Sequence, residues 1–402
     1  MVLVSPVDFG LLVLDKVQPS TSTVIRCMVA YSTRDRYRYR LLKIAGFETR
    51  IVFLPREVGP LVGGYSSTSI GVVVLRLRTT DGIEGIGYAS FTPRNITSAL
   101  KEVVDALAED TIGQDPLRVE AISTTLLEDG GSGAPAGLVT RAVAAIDVAL
   151  WDIKGKLLGQ PVYKLLGGYS NRVPTYASGK LWRPYSLKEL AGAARGFVDE
   201  GFNAMKLRMG AEDSESKELD RYKVVRDAVG PDVDIMIDIN QSWDLNTVFS
   251  IGPKLDERPV YWLEDPVYHQ DIDGLARIAG MLQTPIAAGE YHYGIEPFRS
   301  MLEKRSIDIV MVDLMRAGGL TQWMKIAYLA EAFNLPIVSH LATEILIHAV
   351  AAVPNGLTVE YMPWTFALFK EVPIVDRGYL DLPETPGLGL ELDEASIDRF
   401  GV

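Results

Sequence analysis

Ile235-Met236-Ile237-Asp238, Trp262-Leu263-Glu264 and Ala287-Ala288-Gly289-Glu290 are three short apolar runs that each end in an acid, with 26 residues from Asp238 to Glu264 and 26 again to Glu290. One strand, one helix and two short loops consume about that length in a parallel βα unit. The spacing therefore places three carboxylates at the same end of three neighbouring strands, at the mouth of a barrel, where such folds keep their chemistry. Carboxylates that close repel one another unless a cation sits between them, and an all-oxygen set favours a hard ion such as Mg²⁺.

The same rhythm extends in both directions. Strand ends fall near Ser178, Arg208, Ile239, Glu264, Gly289, Asp313, His340 and Glu360, separated by helical patterns such as Leu187 to Glu200 and Trp323 to Phe333. Eight strand ends with seven intervening helices predict a barrel over 171–360 that lacks a complete final helix. Upstream, residues 43–93 have the period of strands (Ile44, Phe47, Ile51, Phe53, then Gly71 to Leu75 and Gly82 to Tyr88), with Asp81-Gly82 at a hairpin turn. Helical patterns follow to about 158. In the last of them Ala142, Ile146, Ala149, Leu150 and Ile153 form one apolar stripe, and Asp152 with Lys156 reads as an exposed i, i+4 pair. Residues 43–170 are thus an α+β cap, and the proline-containing stretch 361–402 is expected to run back to it. Residues 1–42, with polar Ser20 to Thr23 and the basic series Arg34, Arg36, Arg38 and Arg40, read as a poorly ordered extension.

Composition narrows the partners. A chain of 402 residues, 48% apolar, can bury a large core, and a net charge of −12 argues against nucleic acid and for a small-molecule substrate. The single cysteine, Cys27, excludes an intrachain disulfide and a cysteine zinc site, as expected of a cytoplasmic protein. The apolar run Phe9 to Leu14 is too short to span a bilayer and is preceded by Asp8 rather than by a basic region, so neither a membrane span nor a signal peptide is expected.

Two motifs carry a resemblance. The helix Ala142 to Lys156 (AVAAIDVALWDIKGK), followed by Pro161-Val162 and Leu165-Leu166-Gly167, resembles the first signature of the enolase superfamily, mandelate racemase subgroup. Asp238-Ile239-Asn240 with Leu263-Glu264-Asp265-Pro266 is similar to the second, and the likeness covers about 43 to 395. It implies a modified TIM barrel, (β/α)7β, with an N-terminal α+β capping domain. It also implies Mg²⁺ on Asp238, Glu264 and Glu290, and abstraction of the proton beside a carboxylate through an enediolate. Asp313 and His340 continue the series at steps of 23 and 27 residues. In the family such a pair is the base, the carboxylate fixing the imidazole tautomer and raising its basicity. Glu360 corresponds to an acid that hydrogen-bonds the substrate carboxylate and must stay protonated to do so. Asn240 and Asp265 are expected to orient the ligands from behind, although Asp265 before Pro266 could equally cap a helix. Relatives assemble as symmetric oligomers, so a homo-oligomer is expected, with no residue fixing the number of copies.

One departure decides between reactions. Where the family has Lys-X-Lys at the end of strand two, this chain has Lys206-Leu207-Arg208. Both side chains should point inward, but arginine stays protonated and makes a poor base while making a good carboxylate clamp. The expectation is a one-base enzyme with His340 as the proton carrier and Lys206 as an electrostatic partner of the substrate carboxylate. Dehydration of an acid sugar, aldonate or aldarate, to a 2-keto-3-deoxy acid needs only one base. Racemisation or epimerisation of a 2-hydroxy acid, with Lys206 as the second base, is the alternative, and a catalytically silent scaffold is a remote one. A barrel hydrolase would want a His-X-His pair, which is absent, and the muconate-lactonizing route a lysine where Asp313 stands. Pro55 to Ser67, with Arg56 and Glu57, resembles a loop that closes over substrate. Trp182, Arg183 and Tyr291-His292-Tyr293 suggest a polar pocket with aromatic walls.

Overall fold

Alternating β-branched residues build the cap sheet. In the computed structural model, which describes residues 42–55, 69–92 and 94–402, strands β1 (Ile44–Pro55), β2 (Ser69–Thr79) and β3 (Glu84–Thr92) form an antiparallel meander. Nearly all of the extension and of the closing loop expected from the sequence lie outside the described residues. Period-two alternation divides β2 between two cores. Val73, Leu75 and Leu77 face helices α1 (Arg94–Glu109), α2 (Val119–Asp129) and α3 (Gly137–Leu158), while Val72 and Val74 join the larger core that also contains the barrel strands.

Helix α3 is buried on nearly every side, with Ala142 to Leu150 all inaccessible, so the single apolar stripe read from its sequence understates it. The exposed pair expected there is corrected: Asp152 is buried. Its Oδ2 accepts from Ile86 N of β3 (3.0 Å) and Lys156 Nζ (2.7 Å), and its Oδ1 accepts from Leu388 N of the C-terminal segment (2.9 Å). Burial of that carboxylate follows from the need to satisfy two backbone donors that no regular element serves.

Sheet and helix approach closely because β3 carries glycines. A Cβ on Gly87 would lie 2.0 Å from the carbonyl oxygen of Ala145, and one on Gly85 2.1 Å from that of Ala149. Gly87→Ala is therefore expected to destabilise the protein by about 1–3 kcal/mol or more, as overpacking against rigid backbone does. Scanning calorimetry should show a lowered Tm, and an unchanged Tm would mean that α3 can retreat.

After α4 (Val162–Leu166) the chain alternates: β4 (Arg172–Ala177), α5 (Leu187–Asp199), β5 (Ala204–Arg208), α6 (Glu215–Val229), β6 (Asp234–Asp238), α7 (Leu245–Asp256), β7 (Leu263–Glu264), α8 (Ile272–Ala279), β8 (Ile286–Ala288), α9 (Glu296–Glu303), β9 (Ile309–Asp313), α10 (Leu314–Ala317), α11 (Leu320–Ala332), β10 (Ile337–His340), α12 (Thr343–Ala352) and β11 (Gly356–Tyr361). Strands β4 to β11 pair in sequence order, all parallel, and β11 pairs with β4 to close an eight-stranded barrel. No α-helix comes between β11 and the next strands, only a 3-10 turn at Phe366–Leu368. The hairpin β12 (Val375–Asp376) and β13 (Tyr379–Asp381) instead adds antiparallel to β4. Helix α13 (Glu394–Phe400) then ends beside the cap, where Gly401 bridges to Val52 and Arg50 Nη1 pairs with Asp398 at 2.8 Å. Among the described residues no helix is long and apolar enough to cross a membrane.

Register aligns the polar strand ends. Arg208 lies opposite Asp238, Asp238 opposite Glu264, and Asp313 opposite His340. Glu290 stands beyond β8 because Gly289, at φ +134° and with no room for a Cβ beside Met311 O (2.4 Å), bends the chain before it.

Candidate active site at the barrel mouth

Lys206, Asp238, Glu264, Asp265, Glu290, Asp313 and Glu360 are all buried, and the His340 side chain is 11% exposed. So many charges out of water persist only if they are paired. Lys206 Nζ lies 2.7 Å from Glu264 Oε1, 2.9 Å from Glu360 Oε1 and 3.8 Å from Asp238 Oδ2. Burial works against its charge, but Glu264 and Glu360 outweigh it and hold the amine well above the ordinary lysine value.

On the other side His340 Nδ1 is 2.8 Å from Asp313 Oδ2, and His340 Nε2 is 3.1 Å from Glu290 Oε2. Burial lowers the imidazole's affinity for protons, yet Glu290 and Asp313 leave it raised. Asp313 in turn accepts from Arg316 N at 2.7 Å through Oδ1. Against burial, His340, Arg316 and Arg141 hold Asp313 well below the usual carboxylate range. Asp313 is thus a fixed anion behind the imidazole, with one oxygen for the ring and one for the backbone. The structure brings these two residues together as the sequence spacing predicts.

Two expectations need correction, and one open alternative closes. Glu360 was expected to be a neutral acid. Burial does favour that, but Lys206, His340 and Arg208 outweigh it and bring the carboxyl down to about 2. Its Oε1 accepts from Ser178 Oγ (2.5 Å) and its Oε2 from Leu341 N (2.6 Å). Arg208 was expected to clamp a substrate carboxylate. Its Nη1 donates to Ser178 O (2.8 Å) and Lys180 O (3.3 Å), its Nη2 to Ser178 Oγ (2.9 Å), and its guanidinium lies 3.9 Å over the Trp182 ring. The arginine therefore fastens the loop after β4, with its Nε 3.9 Å from Asp238 Oδ2. Asp265 caps no helix, because α8 begins at Ile272 and is capped by Asp271, which accepts from Gly274 N at 2.8 Å.

The acids divide unevenly. One carboxylate oxygen from each of Glu264, Asp265 and Glu290 lies within 4.8 Å of the other two. Asp238 is not one of this trio: its Oδ1 accepts from Asn240 N (2.8 Å) and its Oδ2 lies 3.8 and 3.9 Å from Lys206 and Arg208. Asn240 orients Asp238 through its backbone, and its Nδ2 lies 3.5 Å from Tyr291 Oη. The donor set is entirely oxygen and anionic, and it matches a hard divalent ion.

Several neighbours escaped sequence reasoning. The Trp262 indole N–H donates to Glu264 Oε2 at 3.0 Å; two residues before Glu264 on the same strand face, it was findable from period-two alternation. Ser178 Oγ links Arg208 to Glu360, and Arg316 Nη1 donates to Glu290 O at 2.5 Å. Those contacts join neighbouring strand ends that lie 26 to 182 residues apart in sequence, and no local pattern announces them. Of the expected pocket residues, Trp182 stacks on Trp364 (6.1 Å, 14°). Arg183 turns back to Met209 O (2.6 Å) and Asp238 O (3.3 Å), and Tyr291 stacks on His269 (5.6 Å, 25°) beneath Arg316.

A parallel barrel under an α+β cap, with acids on successive strand ends facing a histidine–aspartate pair, is the architecture of the enolase superfamily. Within it, residues 50–167 match the mandelate racemase / muconate lactonizing enzyme N-terminal domain and residues 189–396 the enolase C-terminal domain-like family, and the chain belongs to this mandelate racemase / muconate lactonizing enzyme family. It is 31% identical to the L-talarate/galactarate dehydratase of Salmonella typhimurium over 81% of this chain and 82% of the relative. It is 28% identical to the N-succinyl-L-Arg/Lys racemase of Bacillus cereus over 90% of this chain and 98% of the relative. The crystal structure of L-talarate dehydratase from Polaromonas sp. JS666 complexed with Mg and L-glucarate superimposes with a TM-score of 0.83 at 29% identity, covering 90% of this chain and 98% of that one.

Proposed function

We propose that the protein is a Mg²⁺-dependent hydro-lyase that removes water from an acid sugar, an aldonate or aldarate, to give a 2-keto-3-deoxy acid. The observation that carries this reading is the asymmetry of the two faces: a His340–Asp313 pair on one side, and on the other an arginine, which stays protonated and is held by Ser178 through both Nη atoms.

Asp238, Glu264 and Glu290 would hold the ion. Bound there, Mg²⁺ supplies positive charge where electron density builds on the substrate carboxylate. His340 Nε2 takes the proton from the carbon beside that carboxylate. Asp313 keeps Nδ1 protonated and stabilises the imidazolium that results. The same imidazolium then gives its proton to the β-hydroxyl as the C–O bond breaks, so water leaves and the enol product tautomerises to the ketone. Lys206 contributes fixed positive charge beside the reacting carboxylate, kept in place by Glu360. The dehydratase relatives support this class of reaction.

Racemisation, supported by the racemase relative, would need Lys206 to lose its proton as the second base. Two carboxylates within 3 Å oppose that. The reading also takes 43–170 as cap, 171–360 as barrel and 361–402 as a segment returning to the cap, in a cytosolic homo-oligomer. A panel of acid sugars with Mg²⁺, assayed with a carbonyl reagent, should reveal keto-acid formation from at least one member. Deuterium entering recovered substrate with inversion, and no keto acid from any member, would overturn the dehydratase in favour of the racemase.

A further inference from the structure

Arg183, in the loop after β4, is a cation without a counter-ion. Partly buried, it forms no ion pair among the described residues and spends two of its nitrogens on backbone carbonyls, Nε on Met209 O (2.6 Å) and Nη2 on Asp238 O (3.3 Å). Both N–H groups of Nη1 are left for a ligand, since none of the described residues accepts from them. Carbonyls satisfy N–H groups but carry no net charge, so the guanidinium stays electrically uncompensated.

The residue also lines a cavity of about 470 Å³ between the loop after β4 and the start of α6. The other cations in its wall are answered. Lys217 Nζ meets Asp213 at 2.8 Å, and Arg221, which is 3% exposed, meets Glu212 at 3.0 Å. Arg221 donates further to Tyr185 O and Trp182 O (both 3.0 Å), which fixes the loop that carries Arg183, and its buried Nε has no partner among the described residues. Asp220, the remaining acid of the wall, is exposed to solvent.

Position says which anion fits. Asp238, whose carbonyl Arg183 holds, is one of the acids that would carry the ion, so a substrate with its reacting carboxylate at that ion has Arg183 within reach of a few carbon atoms. An aldonate ends there in a neutral primary alcohol. An aldarate ends in a second carboxylate, and a charge-assisted pair with a guanidinium is far stronger than a bond to a hydroxyl. We propose that Arg183 binds the far carboxylate of the substrate, so that the protein dehydrates aldarates in preference to aldonates. This rests on the acid-sugar reading above and narrows it to diacids.

The test compares aldarates with aldonates matched in length and configuration. Calorimetric titration of each, with MgCl₂, into full-length His340→Asn and His340→Asn/Arg183→Gln reads binding without turnover, and kcat/KM of wild type and Arg183→Gln reads selectivity. Losing the bonds to the Met209 and Asp238 carbonyls weighs on both substrates alike, so the ratio between them isolates the carboxylate. The aldarate of at least one pair should bind His340→Asn tenfold or more tighter than its aldonate, wild type should favour it by at least as much, and Arg183→Gln should bring both ratios within threefold. A preference under tenfold in wild type, or a ratio that Arg183→Gln leaves above threefold, would overturn the proposal while the dehydratase stands; a site for a free inorganic anion would give that same result. Should Arg183→Gln not fold, Arg183→Lys keeps the charge without the fork and should cut the ratio severalfold, and an unmoved ratio would again overturn the proposal. If no member of any pair yields a keto acid, the acid-sugar reading falls and this one with it.

Discussion

In His340→Asn, turnover is expected to fall by roughly a thousand- to ten-thousand-fold, the upper part of the range for a lost general acid–base group. The imidazole is the basic group set in the mouth with its proton position fixed, Nδ1 against Asp313 and Nε2 towards the acids. Asparagine preserves polarity and approximate size but cannot take a proton from carbon. Circular dichroism and Mg²⁺ affinity should therefore stay close to wild type while exchange of the substrate α-proton with solvent disappears. The pH profile gives a second check. His340 must be neutral to act, so kcat/KM of the wild type should rise with pH as the imidazolium loses its proton, with Asp313 2.8 Å from Nδ1 as the partner that holds it. That limb should be missing from the residual activity of the variant. If His340→Asn kept full turnover while Lys206→Ala lost it, the base would be on the opposite face.

Stripping the metal with a chelator should lower activity by about a thousand-fold or more, since an ion at a developing carboxylate charge supplies several kcal/mol of transition-state stabilisation. Added Mg²⁺ should restore it in wild type but not in Glu264→Gln. The metal-free protein should nevertheless remain folded. Lys206 and His340 already act as counter-ions, the first to Glu264 and Glu360 and the second to Glu290, so the acids are not left wholly uncompensated. Activity that survives exhaustive chelation, with the metal content measured, would remove the ion from the reaction.

The positions of these groups were legible in the sequence because a barrel converts spacing into geometry. Acids at equal intervals land on equivalent strand ends, and the register of β5 to β7 bears this out for Arg208, Asp238 and Glu264. What each group does with its hydrogen bonds was less legible. Arg208 reads as a free cation until Ser178 and Lys180, from the preceding strand's loop, are seen to accept from its Nη atoms. Glu360 reads as a neutral acid until Lys206 is found 2.9 Å away. Asp265 reads equally as an orienting acid or a cap because the left-handed turn that sets it comes with backbone bonds to Gln241 and Ala287, far away in sequence. Asp152 reads as solvent-exposed because the segment that covers it, at Leu388, is 236 residues away. Local periodicity carries no information about a contact of that range.

Helix α3 has one more implication. Asp147 Oδ2 accepts from Thr321 N at the start of α11 (3.0 Å), its Oδ1 accepts from Ser123 Oγ (2.7 Å), and the Trp151 indole N–H donates to Thr321 Oγ1 (2.9 Å). Tyr88 of β3 donates to Glu344 of α12 at 2.6 Å. With Asp152 gripping Leu388, the bonds to Thr321 and Glu344 rivet the first sheet-and-helix layer to helices α11 and α12 and to the C-terminal segment. A rigid-body swing between the two would break several dry hydrogen bonds at once. Admission of substrate and escape of product then need motion elsewhere than at this seam, so changes of specificity can accumulate away from it without disturbing the frame.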